Sequence, residues 1–268
     1  MIGIFDSGLG GLTVTKEVLK HLPKYQLLYL GDTARTPYGN RSQELIYQFS
    51  VQAVDYLFKQ GCELVIVACN TVSAEALKKL QQEWLPKNYP EKRVLGVIRP
   101  VVEQAVKESK NNRIGVVGTR GTIDSGAYER ELVSQNSRVK VFSQACPILV
   151  PLIEEGWLKR HETIKIIRGY LRPLKNKKID TLILGCTHYP ILEKIFKNIC
   201  GKKIKVIDSA EIVALKLKDY LSRHPEIESK LIQGDNHRFL VTDLTEVSKN
   251  IFRDWFGGNF GLEKVELE

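Results

Sequence analysis

Two similar stretches decide the fold, Leu64-Val65-Ile66-Val67-Ala68-Cys69-Asn70-Thr71 and Thr181-Leu182-Ile183-Leu184-Gly185-Cys186-Thr187-His188. Each contains a continuous apolar run, followed by a small residue, a cysteine and polar side chains. An apolar run of this length before a helical pattern is typical of a strand buried in a parallel sheet. Because ligands bind at the carboxyl ends of such strands, we expect Cys69 and Cys186 to face one site.

Strand and helix patterns alternate along the chain, which predicts an α/β fold with mainly parallel sheets flanked by helices. The pattern also repeats. Ile2-Gly3-Ile4-Phe5 resembles Ile114-Gly115-Val116-Val117, at a spacing close to that between the two cysteines. The repeat indicates two similar α/β domains related by pseudo-symmetry, with the active site in the cleft between them. Chance is the alternative explanation of this repeat, because all buried strands are apolar and therefore resemble one another.

The composition is that of an ordinary globular protein, with 268 residues, 43% hydrophobic and 26% charged. The net charge of +9 is compatible with a nucleic-acid partner, a membrane surface or an acidic small molecule. Since the lysines are scattered and form no long single-sign arm, we interpret the charge as the basic surface of an enzyme. We do not expect a nucleic-acid or membrane partner.

The chain has five cysteines, an odd number that argues against a disulfide scaffold in a protein of this length. No CxxC occurs and no His/Cys spacing resembles a zinc site, so we expect no metal. The N-terminus enters a strand at once, without the features of a secretory signal, and no apolar stretch is long enough to span a bilayer. These features predict a cytoplasmic protein.

The paired thiols suggest the chemistry. A thiol at a helix N-terminus feels the helix dipole, so we expect the pKa of each of the two cysteines to fall from about 8.5 toward neutrality. Two facing thiols suit a redox disulfide, a soft-metal site or a paired acid and base. We interpret Cys62, Cys146 and Cys200 as structural residues.

Polar side chains lie at the other strand ends. With the backbone N–H groups of the turn Gly8-Leu9-Gly10-Gly11, they suit a small molecule that bears carboxylates and an ammonium group. These side chains also have a simpler explanation: they cap helices, and the histidine is an interior residue with its hydrogen bonds made. A dinucleotide site is the weaker rival, because Asp32 imitates a ribose-binding acid but the glycines lack the G-x-G-x-x-G spacing. The strand-end residues are Asp6, Ser7, Asn70, Thr71, Thr119, Thr187 and His188.

Several motifs together resemble bacterial glutamate racemase, within the aspartate/glutamate racemase superfamily. The resemblance covers nearly the whole chain, in order. Arg99 departs from it, because a smaller or acidic residue is expected at that position. The motifs are Asp6-Ser7-Gly8-Leu9-Gly10-Gly11, Asp32-Thr33-Ala34-Arg35-Thr36-Pro37-Tyr38-Gly39, Ala68-Cys69-Asn70-Thr71, Pro151-Leu152-Ile153-Glu154-Glu155-Gly156, Gly185-Cys186-Thr187-His188-Tyr189-Pro190 and Asp208-Ser209-Ala210.

The resemblance implies a cofactor-independent, two-base reaction. One thiolate removes the α-proton of glutamate from one face, and the other thiol delivers a proton to the opposite face. By analogy Cys69 acts on D-glutamate and Cys186 on L-glutamate, with Asp6 and His188 assisting. Glu154 is a further candidate catalytic residue, and Glu155 is the alternative. The implied substrate-binding residues are Asp6, Ser7, Tyr38, Gly39, Asn70, Thr71, Thr119, Thr187 and His188.

The resemblance also implies a discontinuous first domain, residues 1–98 plus 209–268, and a second domain, residues 99–208. It implies a homodimer and a role in supplying D-glutamate for peptidoglycan. Two alternatives stay open: a racemase of aspartate or another amino acid, and a basic regulatory or nucleic-acid-binding protein.

Overall fold

Two parallel β-sheets form the framework of the protein. The computed structural model describes residues 1–257 and 260–267; residues 258, 259 and 268, which fall in the predicted first domain, lie outside this description. The described strands are β1 (Ile2–Asp6), β2 (Leu27–Gly31), β3 (Leu64–Val67), β4 (Arg93–Gly96), β5 (Arg113–Gly118), β6 (Lys140–Ala145), β7 (Thr181–Gly185), β8 (Lys205–Ile207), β9 (Arg238–Val241) and β10 (Leu262–Lys264).

Helices follow most of the strands. The described α-helices are α1 (Leu12–His21), α2 (Gln43–Lys59), α3 (Asn70–Glu75), α4 (Leu77–Lys79), α5 (Leu85–Asn88), α6 (Ile98–Glu108), α7 (Arg120–Asp124), α8 (Ala127–Gln135), α9 (Leu149–Glu154), α10 (His161–Asn176), α11 (Glu193–Cys200), α12 (Ser209–Arg223), α13 (Pro225–Glu228) and α14 (Glu246–Trp255). Short 3-10 turns occupy Tyr38–Asn40 and Tyr189–Leu192, and a π-helical turn occupies Leu80–Trp84.

The two sheets share one strand order. The larger has the order β10-β9-β2-β1-β3-β4 and the smaller has the order β6-β5-β7-β8. Removal of β9 and β10 leaves the same arrangement in both, with the two cysteine-bearing strands, β3 and β7, in equivalent places. All named strand pairs are parallel. The predicted α/β class and repeated sheet are therefore confirmed, and the tail adds β9 and β10 to the first sheet.

The carboxyl ends of the strands position the site. In each sheet the strand order reverses between the first strand and the cysteine-bearing strand, β1 and β3 in one, β5 and β7 in the other. Such a switch point is where an open α/β sheet forms its binding crevice. Asp6 ends β1, and Cys69 follows β3 after Ala68. The division of the chain at residues 98/99 and 208/209 stays a prediction.

One apolar core joins the two sheets. It contains Ile4 from β1 and Val116 from β5, together with buried residues of α1, α6 and α12 such as Val18, Val101 and Leu217. Two further clusters cover the outer faces of the sheets. Since the shared core crosses from one sheet to the other, apolar packing holds together the two halves of the molecule, which are the six-stranded sheet with its helices and the four-stranded sheet with its helices.

Some elements differ from the sequence prediction. The helix expected after the first cysteine is broken into α3, α4, the π-turn and α5. Arg99-Pro100, which as a sequence pattern predicts a break, lies in the first turn of α6, where the missing N–H of Pro100 costs no helical hydrogen bond. Helix α12 was not predicted. It begins at the N-cap Asp208, whose carboxylate accepts a hydrogen bond from Ala210 N at 2.9 Å.

Candidate active site

Cys69 and Cys186 line one small cavity between the two halves. Each is only 5% exposed, and all five cysteines are free thiols. The cavity measures about 40 Å³, far below the ~300 Å³ or more of typical ligand pockets. The predicted residues in its wall are Ser7, Tyr38, Gly39, Cys69, Asn70, Thr71, Thr119, Cys186, Thr187 and His188.

Cys69 is the N-cap of α3, as the sequence suggested, yet its pKa moves the other way from the expectation. Burial, with the charge of Asp6, raises the pKa of the Cys69 thiol to about 12, although hydrogen bonds from Ser7 and the Val72 N–H lower it. Ser7 Oγ lies 3.2 Å from Cys69 Sγ. The expected fall in pKa is wrong for this thiol because removal from water outweighs the dipole of a six-residue helix.

Asp6 lies behind the cavity and does not form part of its wall. Its carboxylate accepts hydrogen bonds from Gly8 N at 3.0 Å and from Thr187 Oγ1 at 3.4 Å. Burial raises the pKa of this carboxyl, whereas the charge of His188 and the hydrogen bonds it accepts lower it. Asp6 thus acts on Cys69 by its charge, and it links the first half to the residue that follows Cys186.

Cys186 has a different partner. His188 Nδ1 lies 3.9 Å from Cys186 Sγ, and His188 Nε2 lies 2.9 Å from a Glu154 carboxylate oxygen. Burial alone lowers the pKa of His188, but the hydrogen bonds with Cys186 and Glu154 raise it to about 10. The ring is therefore an imidazolium at neutral pH, placed to donate a proton or to stabilise negative charge at the sulfur.

The structure distinguishes the two glutamates of the predicted motif. Glu154, at the end of α9, contacts His188, whereas Glu155 is exposed. A residue that was not predicted from the sequence also contacts this histidine. Trp255, the last residue of α14, packs edge-on against the His188 ring with 5.5 Å between centroids. The tail therefore places an aromatic side chain from the first half against a site residue of the second.

The loop after β2 carries Tyr38 and Gly39 to the cleft. Tyr38 is buried, and its hydroxyl donates to Asp32. Arg35 Nε and Thr242 Oγ1 donate to the same carboxylate at 2.7 and 2.8 Å. Asp32 therefore holds the loop in place through hydrogen bonds from three side chains. Since its carboxylate is occupied in this way, Asp32 does not serve as the ribose-binding acid of a dinucleotide site.

The polar pair after Cys69 reaches across the cleft. Thr71 Oγ1 lies 2.9 Å from Thr119 Oγ1 and 3.2 Å from Thr122 Oγ1, both in the second half. Asn70 accepts a hydrogen bond from the Tyr128 hydroxyl at 2.6 Å. Thr119 was predicted from the sequence, whereas Thr122 and Tyr128 were not, since neither directly follows a strand.

The pair after Cys186 reaches back in the same way. Thr13 Oγ1 donates to the Thr187 carbonyl at 2.9 Å. A Cβ atom on Gly10 would collide with both Thr187 and His188. The glycine turn after β1 therefore serves close packing against the opposite half.

The basic residues do not converge on this site. A groove of 430 Å³ lies beside β8, and five lysines line it together with Glu108 and Asp180. The groove lies at the amino ends of the strands, because Lys205 begins β8. The lysines are Lys110, Lys197, Lys202, Lys203 and Lys205. Within the described residues, no helix is both long enough and apolar enough to cross a membrane.

Comparison with known proteins identifies the family. The profile described as Asp/Glu/Hydantoin racemase matches residues 2–217, a span that includes both cysteines and the cleft between the two sheets. The chain belongs to this family. The resemblance inferred from the sequence motifs is thereby confirmed.

Individual members of the family are similar over their full length. A glutamate racemase of Listeria monocytogenes is 43% identical, over 99% of this chain and 98% of its own. The crystal structure of a glutamate racemase from Bacillus anthracis has a TM-score of 0.91 and 38% identity, covering 100% of this chain and 97% of that one. A glutamate racemase from Francisella tularensis, solved in complex with D-glutamate, has a TM-score of 0.89 and 34% identity, covering 100% and 97%.

Proposed function

We propose that this protein is a glutamate racemase that interconverts L- and D-glutamate without a cofactor, supplying D-glutamate for peptidoglycan. The observation that carries the proposal is the pair of thiols in one cavity, contributed by equivalent strands of two repeated sheets. This arrangement suits a reaction in which a proton leaves one face of a chiral carbon and another arrives at the opposite face.

In the proposed reaction the Cys69 thiolate takes the α-proton of D-glutamate, and the electron pair stays on the α-carbon. Cys186 then gives its proton to the opposite face, which yields L-glutamate, a Cys69 thiol and a Cys186 thiolate. The reverse reaction begins at Cys186. Asp6 and His188 assist the nearer thiol, and Glu154 holds the charge of His188.

Because the pKa of Cys69 is raised in the free site, we propose that the bound substrate itself helps to ionise this thiol. Burial and the charge of Asp6 favour the thiol in the free site. A bound ammonium group adds positive charge beside the sulfur, and nearby opposite charge favours the ionised form. The carbanion requires a preorganised site from which water is excluded, which a cavity closed between two halves supplies.

We propose that residues in the wall of the cavity bind glutamate: Ser7, Tyr38, Gly39, Asn70, Thr71, Thr119, Thr187 and His188. Because the cavity of about 40 Å³ is too small for a typical ligand, entry of the substrate requires the halves to move apart. The proposed domains that move are residues 1–98 with 209–268, and residues 99–208. We further propose a cytoplasmic homodimer.

The test is racemisation followed by circular dichroism, starting from each pure enantiomer of glutamate. Cys69→Ala and Cys186→Ala are each expected to abolish interconversion, with Cys62→Ala as a buried-thiol control that keeps it. Normal activity of either of the first two variants would contradict the two-thiol mechanism.

A second candidate is racemisation of aspartate, because the family description includes both amino acids. The same assay with aspartate distinguishes them, and activity on aspartate but not on glutamate would favour this candidate. Steep salt-dependent DNA binding at physiological ionic strength would instead favour a nucleic-acid partner at the lysine groove.

A further inference from the structure

Asn70 has one polar atom bonded and one free. Its Oδ1 accepts the hydrogen bond from the Tyr128 hydroxyl, whereas its Nδ2 is buried and has no hydrogen-bond partner among residues 1–257 and 260–267. An unpaired buried donor is costly, so native structures normally pair such groups with protein, water or ligand. Asn70 lies in the wall of the cavity between the thiols, directly after Cys69.

Tyr128 determines which end of the amide is free. The phenol is buried, and burial and the charge of Cys186 raise its pKa, so it stays neutral with one hydrogen to donate. If the amide were reversed, Nδ2 would donate to the phenol oxygen, and the phenol hydrogen would lose its acceptor. Burial of that unpaired group disfavours the reversed amide.

The ring of Tyr128 is held by the other cysteine strand. A Cβ atom on Gly185, the residue before Cys186, would lie 3.1 Å from Tyr128 Cε2. The ring therefore packs closely on the backbone that leads to one thiol, while its hydroxyl binds the residue that follows the other. Helix α8, which carries Tyr128, belongs to the second half, so this contact forms only when the two halves are together.

We propose that Tyr128 is a positioning residue that fixes the amide of Asn70, so that Nδ2 donates to a carboxylate of the substrate. The proposal rests on the proposed racemase function and adds a residue to it. Tyr128 does not contact the substrate; it sets the direction of a donor that does. Its effect belongs to substrate binding more than to proton transfer, so it acts on KM more than on kcat.

The test is a double-mutant cycle on KM for D-glutamate, with Tyr128→Phe and Asn70→Ala. Tyr128→Phe keeps the ring on Gly185 and removes only the hydroxyl. It is expected to raise KM about 3- to 10-fold, the size of one hydrogen bond, with a smaller change in kcat. In the Asn70→Ala background the same change is expected to have no further effect.

Tyr25→Phe is the matched control. It removes another buried tyrosine hydroxyl, one bonded to Glu228 on the first half, and is expected to keep the wild-type KM. Asn70→Asp replaces the donor by an oxygen of the same size and is expected to raise KM further than Tyr128→Phe does. This variant keeps the test valid if the tyrosine variant fails to fold.

The proposal would be overturned if Tyr128→Phe raised KM by the same factor in the wild type and in Asn70→Ala. A wild-type KM for Asn70→Asp would also overturn it. The affinity of the same proteins for D-glutamate, measured by calorimetry, distinguishes failure of the Tyr128 proposal from failure of the proposed function. A wild-type protein that binds D-glutamate without racemising it contradicts the function alone, and its variants still test Tyr128. A wild-type protein that does not bind D-glutamate contradicts both.

Discussion

Cys69 and Cys186 occupy equivalent strand ends but have different neighbours. Ser7 and the charge of Asp6 act on Cys69, whereas His188 faces Cys186. This asymmetry suits two thiols that meet opposite faces of one carbon. The sequence predicted the paired cysteines, because an apolar run followed by a cysteine is a local pattern. It could not predict the pKa of Cys69, since burial depends on the packing of both halves.

The raised pKa of His188 links this residue to stability. Because the pKa is about 10 in the folded protein and about 6.5 in an unfolded chain, the imidazolium stabilises the fold. The contribution is full below pH 6.5 and is lost as the pH rises through 10. We therefore expect the melting-temperature advantage of the wild type over His188→Gln to shrink between pH 7 and pH 10.

Thermal melts of both proteins across this pH range measure that difference directly. His224→Gln is the control, since His224 is a surface histidine that bonds Glu226 away from the site. A difference that stays constant or grows with pH would contradict a charged His188 in the folded state.

At the scale of elements, the turn after β1 and the segment after β7 fit together through Gly10. A side chain at Gly10 would collide with Thr187 and His188. We expect Gly10→Ala to displace His188 and to lower kcat at least about 10-fold, since misplacement of a catalytic group by about 1 Å is costly. Steady-state racemisation measures this loss.

The control for Gly10→Ala is Gly169→Ala in α10, where the new methyl group meets no atom within 4 Å. Since alanine is the better helix former, this control is expected to add about 0.5–1 kcal/mol of stability without loss of activity. Activity of Gly10→Ala equal to that of the control would show that the close packing is unimportant.

Elements with a local pattern could be predicted from the sequence, and those set by distant contacts could not. The strands around the cysteines followed from apolar runs and their order, whereas the return of the tail to the first domain was implied by the family resemblance. The contacts of Tyr128 and Trp255 join residues far apart in the chain, so no local spacing reveals them. The N-cap Asp208 lies within the quoted motifs, but α12 after it was not predicted.

At the scale of the whole molecule, the two halves are joined both by apolar packing and by hydrogen bonds across the cleft. The core shared by β1, β5 and α12 includes Ile4, Val116 and Leu217. Separation of the halves would expose this surface to water, at a cost of about 25 cal/mol for each Å² of apolar surface.

We therefore expect cooperative unfolding of the whole chain. The tryptophans report on both halves, since Trp84 packs against an apolar cluster of the first half and Trp157 lies after α9 in the second. Urea titrations followed by tryptophan fluorescence and by far-ultraviolet circular dichroism are expected to coincide. Two separated transitions would mean that the halves unfold independently.

The central claim is that two thiols act on opposite faces of one α-carbon. Its most direct test is the early reaction of pure L-glutamate in D₂O, with the two enantiomers separated and their α-deuterium measured. If one thiol takes the proton and the other gives a deuteron, the D-glutamate formed contains α-deuterium and the remaining L-glutamate contains none. Equal deuterium in both enantiomers, or D-glutamate without deuterium, would contradict the account.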